Sequence, residues 1–230
     1  MAVRLQKPII QVAGIADADE ARMLVGLGIR WLGFPLRLSV HREDLTEREA
    51  ARIIENLPRD VFAVLITYAF HWKEVLDLCA FLGARAVQLH GETPVEDIRR
   101  IKAARPGLVV IKSVIVRPGM PSEDLEQTVM DFAPYVDALI TDTFDPETGA
   151  CGATGKTHDW EVSRRIVEVS PKPVILAGGL TPENVAEAVR KVRPFGVDAH
   201  TGLEDPSGRK DPRKVAAFVR NAWAAFSALY

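Results

Sequence analysis

A (β/α)8 barrel is the fold this sequence predicts, and three observations predict it. Short apolar runs alternate with amphipathic stretches along the whole 230-residue chain. The apolar runs carry few polar interruptions, the pattern of strands covered on both faces and therefore of a parallel sheet. Eight strand–helix units in a chain of this length fit the lower end of the barrel's size range. An open doubly wound sheet is the competing architecture, but no GxGxxG follows the first strand, which weighs against its dinucleotide-binding form. No linker, low-complexity segment or charge block breaks the pattern, so residues 1–230 are assigned to one barrel domain.

The units run in order. Pro8 to Ala13 reads as the first strand, and Asp17 to Leu27 as its helix, with Ala21, Leu24, Val25 and Leu27 on the apolar side. Ile29 to Pro35 and Leu45 to Leu57 form the second unit. Val61 to Ile66 is nearly all apolar; the helix after it, His71 to Leu82, places Val75, Leu78, Cys79 and Leu82 at helical spacing. Arg85 to Leu89 with Pro94 to Ala104, and Leu108 to Val114 with Ser122 to Ala133, make the fourth and fifth units. Val136 to Thr141 with Asp159 to Val169 is the sixth. Pro173 to Ala177 with Pro182 to Val192, then Phe195 to Ala199 with Asp211 to Ala228, complete the series.

Composition narrows the functional classes. Hydrophobic residues are 47% of the chain, enough for a sizeable core. Twenty-nine basic residues face thirty-one acidic ones, for a formal charge of −2, which gives no electrostatic reason to expect nucleic acid or an anionic membrane as a partner. Cys79 and Cys151 lie far apart and form no CxxC pair, arguing against a disulfide scaffold and for a reducing compartment. Met1 to Lys7 lacks the apolar core of a signal peptide, and no apolar run approaches the roughly 18 residues needed to span a bilayer. The expectation is a soluble, cytoplasmic protein.

The segment Val174-Ile175-Leu176-Ala177-Gly178-Gly179-Leu180-Thr181-Pro182-Glu183-Asn184 is the most informative in the chain. A short strand runs into two glycines and then into a helix start, with Thr181 suited to the N-cap, Pro182 to the first helical position and Glu183 to the first turn. Glycine admits close approach of a ligand to the backbone, and a helix start offers unpaired N–H groups. A second glycine turn follows at Gly196-Val197-Asp198-Ala199-His200-Thr201-Gly202. Loops after the seventh and eighth strands commonly hold phosphate in this barrel, so the pair predicts a phosphate site. Taken singly, either turn could equally serve only the backbone.

Other candidates surround the same mouth. Asp142, at Ile140-Thr141-Asp142-Thr143, can act as a general acid or base if burial raises its pKa, or can simply open an Asx turn. The long loop from Phe144 to His158 could close as a lid. Within it Gly152-Ala153-Thr154-Gly155-Lys156-Thr157 satisfies a loose phosphate-loop pattern, but Ala150 stands where the strict form needs Gly and no strand immediately precedes it, which argues against nucleotide hydrolysis. Lys156 could still pair with a small ligand's phosphate. His90, after the fourth strand, is a ligand contact or a loop residue; His41, His71 and His158 read as ordinary surface or loop residues. His200 lies inside the eighth turn, where it could be a phosphate partner or a base. The histidines show no HExxH or other tight ligand spacing, so no metal is expected.

Assembled, these residues resemble the phosphoribosylanthranilate isomerase family, the (β/α)8 enzymes of tryptophan biosynthesis. The matching pieces are Gly14-Ile15, Gly33-Phe34, Val87-Gln88-Leu89-His90-Gly91, Asp142-Thr143, Gly152 to Trp160 with its Thr-Gly-Lys-Thr-x-Asp-Trp core, Ile175 to Asn184, and Gly196-Val197-Asp198. The resemblance covers almost the whole chain. It implies an Amadori rearrangement of a phosphoribosylated arylamine without a cofactor: a general acid helps the ribose open, and a general base removes the C2′ proton to give an enol that becomes the ketone. It implies Asp142 as the acid. It implies phosphate contacts from Gly178, Gly179 and the eighth turn, where Thr201 and Gly202 stand. His90, Gly155 and Asp198 are further candidate substrate contacts, for a small phosphorylated substrate and a monomer or homodimer.

The same resemblance marks departures. The family reads Lys-Ile-Cys-Gly at the end of strand one, whereas this chain reads Gln11-Val12-Ala13-Gly14, so Ala13 stands at the position of the cysteine base. The family's Ser-Pro-Arg segment, whose arginine meets the substrate carboxylate, becomes Ser39-Val40-His41-Arg42, leaving Arg37 or Arg42 as substitutes. The paired serines of the eighth turn become His200-Thr201. Two other readings follow: a related barrel acting on another sugar phosphate as isomerase or lyase, with Lys112 the one Schiff-base candidate if alternation points it inward and otherwise a rim charge or binding contact, the favoured reading of that residue; or a non-catalytic phosphate-ligand sensor. The last helix, with Trp223, Phe226, Leu229 and Tyr230, caps the barrel or forms a dimer contact.

Overall fold

The computed structural model describes residues 5, 8–38, 43–117, 119, 121–143 and 159–229. Eight strands close into a parallel barrel: β1 (Ile9–Ala13), β2 (Trp31–Pro35), β3 (Phe62–Thr67), β4 (Ala86–Leu89), β5 (Val109–Val116), β6 (Ala138–Thr143), β7 (Val174–Leu176) and β8 (Gly196–Ala199). Each pairs with the next, and β8 pairs back to β1 with Gln11 opposite Asp198 and Val12 opposite Ala199. Eight helices alternate with them: α1 (Ala18–Gly26), α2 (Glu47–Glu55), α3 (Trp72–Leu82), α4 (Val95–Ala104), α5 (Ser122–Phe132), α6 (Trp160–Val169), α7 (Val185–Val192) and α8 (Pro212–Ser227). The expected fold class is the observed one.

Alternation divides the strand side chains between two cores. Ile9, Ala13, Trp31, Val64, Ile66, Ala86, Val109, Ile111, Ala138, Ile140, Ile175 and Ala177 fill the barrel interior. The residues between them, such as Val12, Leu32, Leu65, Val87, Val110 and Val197, join the larger layer under the helices. Burial on both faces explains why the strands read as continuous apolar runs. The floor of the barrel is closed by Trp31 stacked on Phe62, with ring centroids 4.4 Å apart, and by the Arg85 guanidinium 4.3 Å from the Phe62 ring.

Local sequence accounts for the helix starts. Thr46 and Glu49 form a reciprocal capping box at α2, and Asp17, Asp159 and Asp211 cap α1, α6 and α8 through their side chains. At α7 the start differs from expectation. The regular helix begins at Val185, after a turn over 182–184. The expected cap chemistry is nevertheless present around Thr181: its hydroxyl accepts from Glu183 N at 3.2 Å, and its own N–H donates to Asn184 Oδ1 at 2.8 Å.

Two further differences bear on the site. β6 continues past Thr141 to Thr143, paired with an equally extended β5, so Asp142 belongs to a strand and is not the start of a loop. Lys112 shares the outward parity of Val110 and Val114, not the inward parity of Ile111. Its ammonium donates to Gly91 O at 2.9 Å and Ser113 O at 3.0 Å and sits over Phe132 of α5. The inward orientation a Schiff-base lysine requires is therefore absent, and the lyase reading loses its nucleophile. Of the terminal aromatics, Phe226 is buried and Trp223 is half exposed, while Tyr230 lies outside the described residues.

Replacing Trp31 by Ala should cost about 3–5 kcal/mol of stability, because it removes the floor stack and leaves a cavity. Urea unfolding of Trp31→Ala measures this loss.

Candidate active site

The C-terminal ends of the strands gather the polar residues that the barrel interior otherwise lacks. On the inward parity, β1 ends at Ala13, β6 carries Asp142 and β8 carries Asp198. His90 follows β4, His200 follows β8, and Ser113 extends the inward series of Val109 and Ile111 on β5.

Asp142 is buried, with Oδ1 accepting from the Thr143 N–H at 2.8 Å and Oδ2 lying 3.7 Å from His90 Nε2. Burial raises its pKa; His90, the Thr143 amide and His200 pull in the other direction without cancelling that rise. His90 is itself oriented. Its Nδ1 lies 2.8 Å from Ser113 Oγ, and Tyr68 meets its ring edge-on with centroids 5.0 Å apart. A carboxyl group whose pKa is raised by burial, beside a fixed imidazole at the mouth, has the chemistry of a general acid.

Asp198 lies deeper, opposite Gln11 in the β1–β8 register. Burial and the nearby Asp142 carboxylate push its pKa up to about 7, against the opposing pull of Gln11 and Lys210. Gln11 Nε2 donates to Gln88 Oε1 at 2.9 Å. Gln11 Oε1 and Asp198 Oδ1 are left as buried acceptors without a donor. A proton on Asp198 would supply one.

On the β1 side of the mouth, the His200 ring lies against Gly14. Gly14 has φ +75, and a Cβ built on it would fall 2.0 Å from His200 Nε2. The same Nε2 lies 3.3 Å from Glu204 Oε1. Glu204 also accepts from the fully buried Lys210 ammonium at 2.8 Å, and that ammonium donates to Gly14 O at 2.9 Å. Lys210 N donates to Glu20 Oε1, and Glu20 Oε2 takes the Ala16 N–H, each at 2.8 Å. Burial alone would raise the Glu204 pKa, but His200 and Lys210 outweigh it and hold the carboxyl at about 2.

The two glycine turns are neighbours. Gly178 and Gly179 both have positive φ, at 96 and 61 degrees, where glycine alone is at ease. A Cβ on Gly202 would fall 2.1 Å from Leu180 O, so the β7 and β8 loops pack backbone to backbone. The Thr201–Leu203 turn makes its first internal bond from Leu203 N to His200 O at 3.1 Å, leaving the N–H groups of Thr201 and Gly202 ahead of it.

Thus His90, Asp142, Asp198 and His200 share one end of the barrel with Gly178, Gly179, Thr201 and Gly202. Arg37 does not join them. Its Nε donates to Glu47 and its Nη1 to Glu74, both at 2.8 Å, which ties the β2 loop to the first turns of α2 and α3. Arg42, Gly155 and Lys156 lie outside the described residues. No helix of the described residues is long and apolar enough to cross a membrane, and none of their His, Cys, Asp and Glu side chains form a group of three or more able to hold a metal. Sequence reading passed over Ser113, Glu20, Glu204 and Lys210. Ser113 had a signal, its even spacing from Ile111; Glu204 had a weaker one, its i+4 spacing from His200. Lys210 had none, since its partner Gly14 is 196 positions away.

Comparison with known proteins places this geometry. The family model described as N-(5′-phosphoribosyl)anthranilate isomerase matches residues 30–221. N-(5′-phosphoribosyl)anthranilate isomerase 2 of Methanosarcina mazei is 37% identical over 215 residues, covering 93% of each chain. The phosphoribosylanthranilate isomerase of Thermotoga maritima superimposes with TM-score 0.80 at 32% identity, over 94% of this chain and 99% of its own. A phosphoribosylanthranilate isomerase solved with reduced 1-(o-carboxyphenylamino)-1-deoxyribulose 5-phosphate gives TM-score 0.78 at 29% identity, over the same shares.

The Asp198 pKa has a thermodynamic consequence. A carboxyl raised from 3.8 to about 7 takes up a proton in the folded state that the unfolded chain has already released. Its contribution to stability is therefore fully present below the lower value and falls as pH rises towards the upper one. Asp198→Asn removes this term. The stability of the variant relative to wild type, from urea unfolding, should rise between about pH 4 and pH 8.

Proposed function

Because the chain belongs to the phosphoribosylanthranilate isomerase family, we propose that it catalyses an Amadori-type aldose–ketose isomerisation of a phosphoribosylated arylamine, with Asp142 as general acid. The observation that carries this reading is Asp142 itself: a buried inward carboxyl at the mouth, with its pKa raised by burial and His90 beside it. Protonated Asp142 delivers its proton to the ribose ring oxygen as the C1′–O bond breaks and the arylamine nitrogen forms a C1′=N double bond. Loss of the C2′ proton then sends its electron pair into C1′=C2′ while the C1′=N pair returns to the arylamine nitrogen. The resulting enol becomes the ketone as its hydroxyl loses a proton and C1′ gains one, so the reaction needs no external oxidant or reductant.

The phosphate end rests on the paired loops after β7 and β8. Main-chain N–H groups of Gly179, Thr201 and Gly202, next to the start of α7, form an arrangement suited to a phosphate. The solved relative described above carries a 5-phosphate ligand, which supports the same class of substrate here. Gly178 and Asp198 support the cradle and the barrel beneath it.

A second reading, a related sugar phosphate with a different head group, draws on Arg37. Its engagement with Glu47 and Glu74 leaves Arg42 as the other arginine candidate for a substrate carboxylate. A non-catalytic sensor has less support, because it gives no reason to bury Asp142 at the mouth.

Purified protein with phosphoribosylanthranilate should show loss of substrate fluorescence, and Asp142→Asn should lower kcat by about 10²–10⁴-fold. Absence of turnover by the wild type, together with thermal stabilisation by inorganic phosphate, would transfer support to the second reading.

A further inference from the structure

We infer that His200 removes the C2′ proton in this chain, and that Glu204, fixed by Lys210, is the positioning residue that orients it. This rests on the isomerase reading above and supplies its missing half. The reaction needs a proton acceptor, and the end of β1 offers only the Ala13 methyl, packed beside Gly33.

Among the described residues at the strand ends, the titratable side chains on the inward parity include Tyr68, which packs on the His90 ring, and His90, Asp142, Asp198 and His200. Asp142 is the acid. His90 is bonded to Ser113 and faces Asp142, so it belongs to the acid's side. Asp198 sits lower in the barrel, at the level of Gln11. His200 alone is both partly open to solvent and placed over β1: its ring fills the space above Gly14, the residue that follows Ala13.

The pairing of the ring favours a base over a phosphate contact. The β8 loop divides its contacts. Gly202 abuts Leu180 in the phosphate turn of β7, whereas His200 abuts Gly14 on the opposite, β1 side. Nε2, the ring atom set against Gly14, lies 3.3 Å from the Glu204 carboxylate and is the donor of that pair, which assigns the acceptor role to Nδ1 on the other edge of the ring. The carboxylate cannot drift, because Lys210 bonds it at 2.8 Å while gripping Gly14 O from below. Imidazole, carboxylate and buried ammonium thus form a chain with the logic of a catalytic dyad and its anchor. In the step assigned here, Nδ1 takes the C2′ proton, the C–H pair becomes the C1′=C2′ bond as the C1′=N pair returns to nitrogen, and the positive charge formed on the ring faces Glu204. Return of that proton to C1′ or to solvent resets the base.

The test uses full-length protein, phosphoribosylanthranilate and four variants. His200→Ala should lower kcat by about 10²-fold or more with KM little changed. Free imidazole should restore part of the loss in His200→Ala, and so should adding Ala13→Cys to it, since a thiol on β1 would re-create an acceptor beside the same carbon. Glu204→Gln should lower kcat by about 10-fold or more without rescue by imidazole, because its own imidazole is present but disoriented. Asp142→Asn, which neither imidazole nor Ala13→Cys should rescue, serves as the comparison. A His200→Ala kcat near wild type with a raised KM would make the residue a phosphate contact and overturn the inference while leaving the isomerase reading intact. A loss that neither imidazole nor Ala13→Cys repairs would overturn it too. A wild type with no turnover would remove both readings together.

Discussion

The seam between β8 and β1 is the constraint on which the mouth depends. Closing an eight-stranded barrel brings the last strand of the sequence against the first, and here their register sets Gln11 opposite Asp198 and Val12 opposite Ala199. Gly196 permits the contact, since a Cβ there would lie 2.5 Å from Ile9 O. Above the seam, Lys210 is bound to Gly14 O, Glu204 and, through its backbone, Glu20. A fully buried ammonium is costly unless its partners are close and complete, and removing one partner typically costs several kcal/mol. The network therefore fixes the relative position of the loops after β1 and β8, which meet at the seam.

That arrangement separates charge across the mouth. Asp142 and Asp198 are pushed towards their protonated forms by burial, and Asp142 adds to the rise at Asp198. Glu204, beyond the β8 turn, is held ionised by His200 and Lys210. Environments that drive carboxyl groups in opposite directions are how one site holds an acid and a base at the same pH. Where the family pattern has a lysine at the position of Gln11, this chain has a neutral amide, and among the described residues Lys210 is a cation that acts on Asp198. The changes at Gln11, Ala13 and His200 thus fall along the β1–β8 seam.

Much of this was legible in the sequence. Eight apolar runs gave the strands, and the paired glycine turns gave the β7 and β8 loops, because those signals are local. The end of β6 was misplaced because Thr141-Asp142-Thr143 reads as polar loop, whereas a barrel mouth tolerates polar residues within a strand. The orientation of Lys112 stays open in the sequence for a related reason. A strand buried on both faces shows no apolar–polar alternation from which parity could be counted. The buried network of Glu20, Gly14, Glu204 and Lys210 was invisible, since it joins residues from opposite ends of the chain that only closure of the barrel brings together.

The central claim is that this barrel keeps its acid on β6 and carries its base on the β8 turn. A crystal structure with reduced 1-(o-carboxyphenylamino)-1-deoxyribulose 5-phosphate tests it most directly. The account expects the phosphate on the amides of Gly179, Thr201 and Gly202, Asp142 on the acid side, and His200 Nδ1 within about 3.5 Å of C2′. A complex in which His200 instead grips the phosphate, with another side chain nearest C2′, would contradict it.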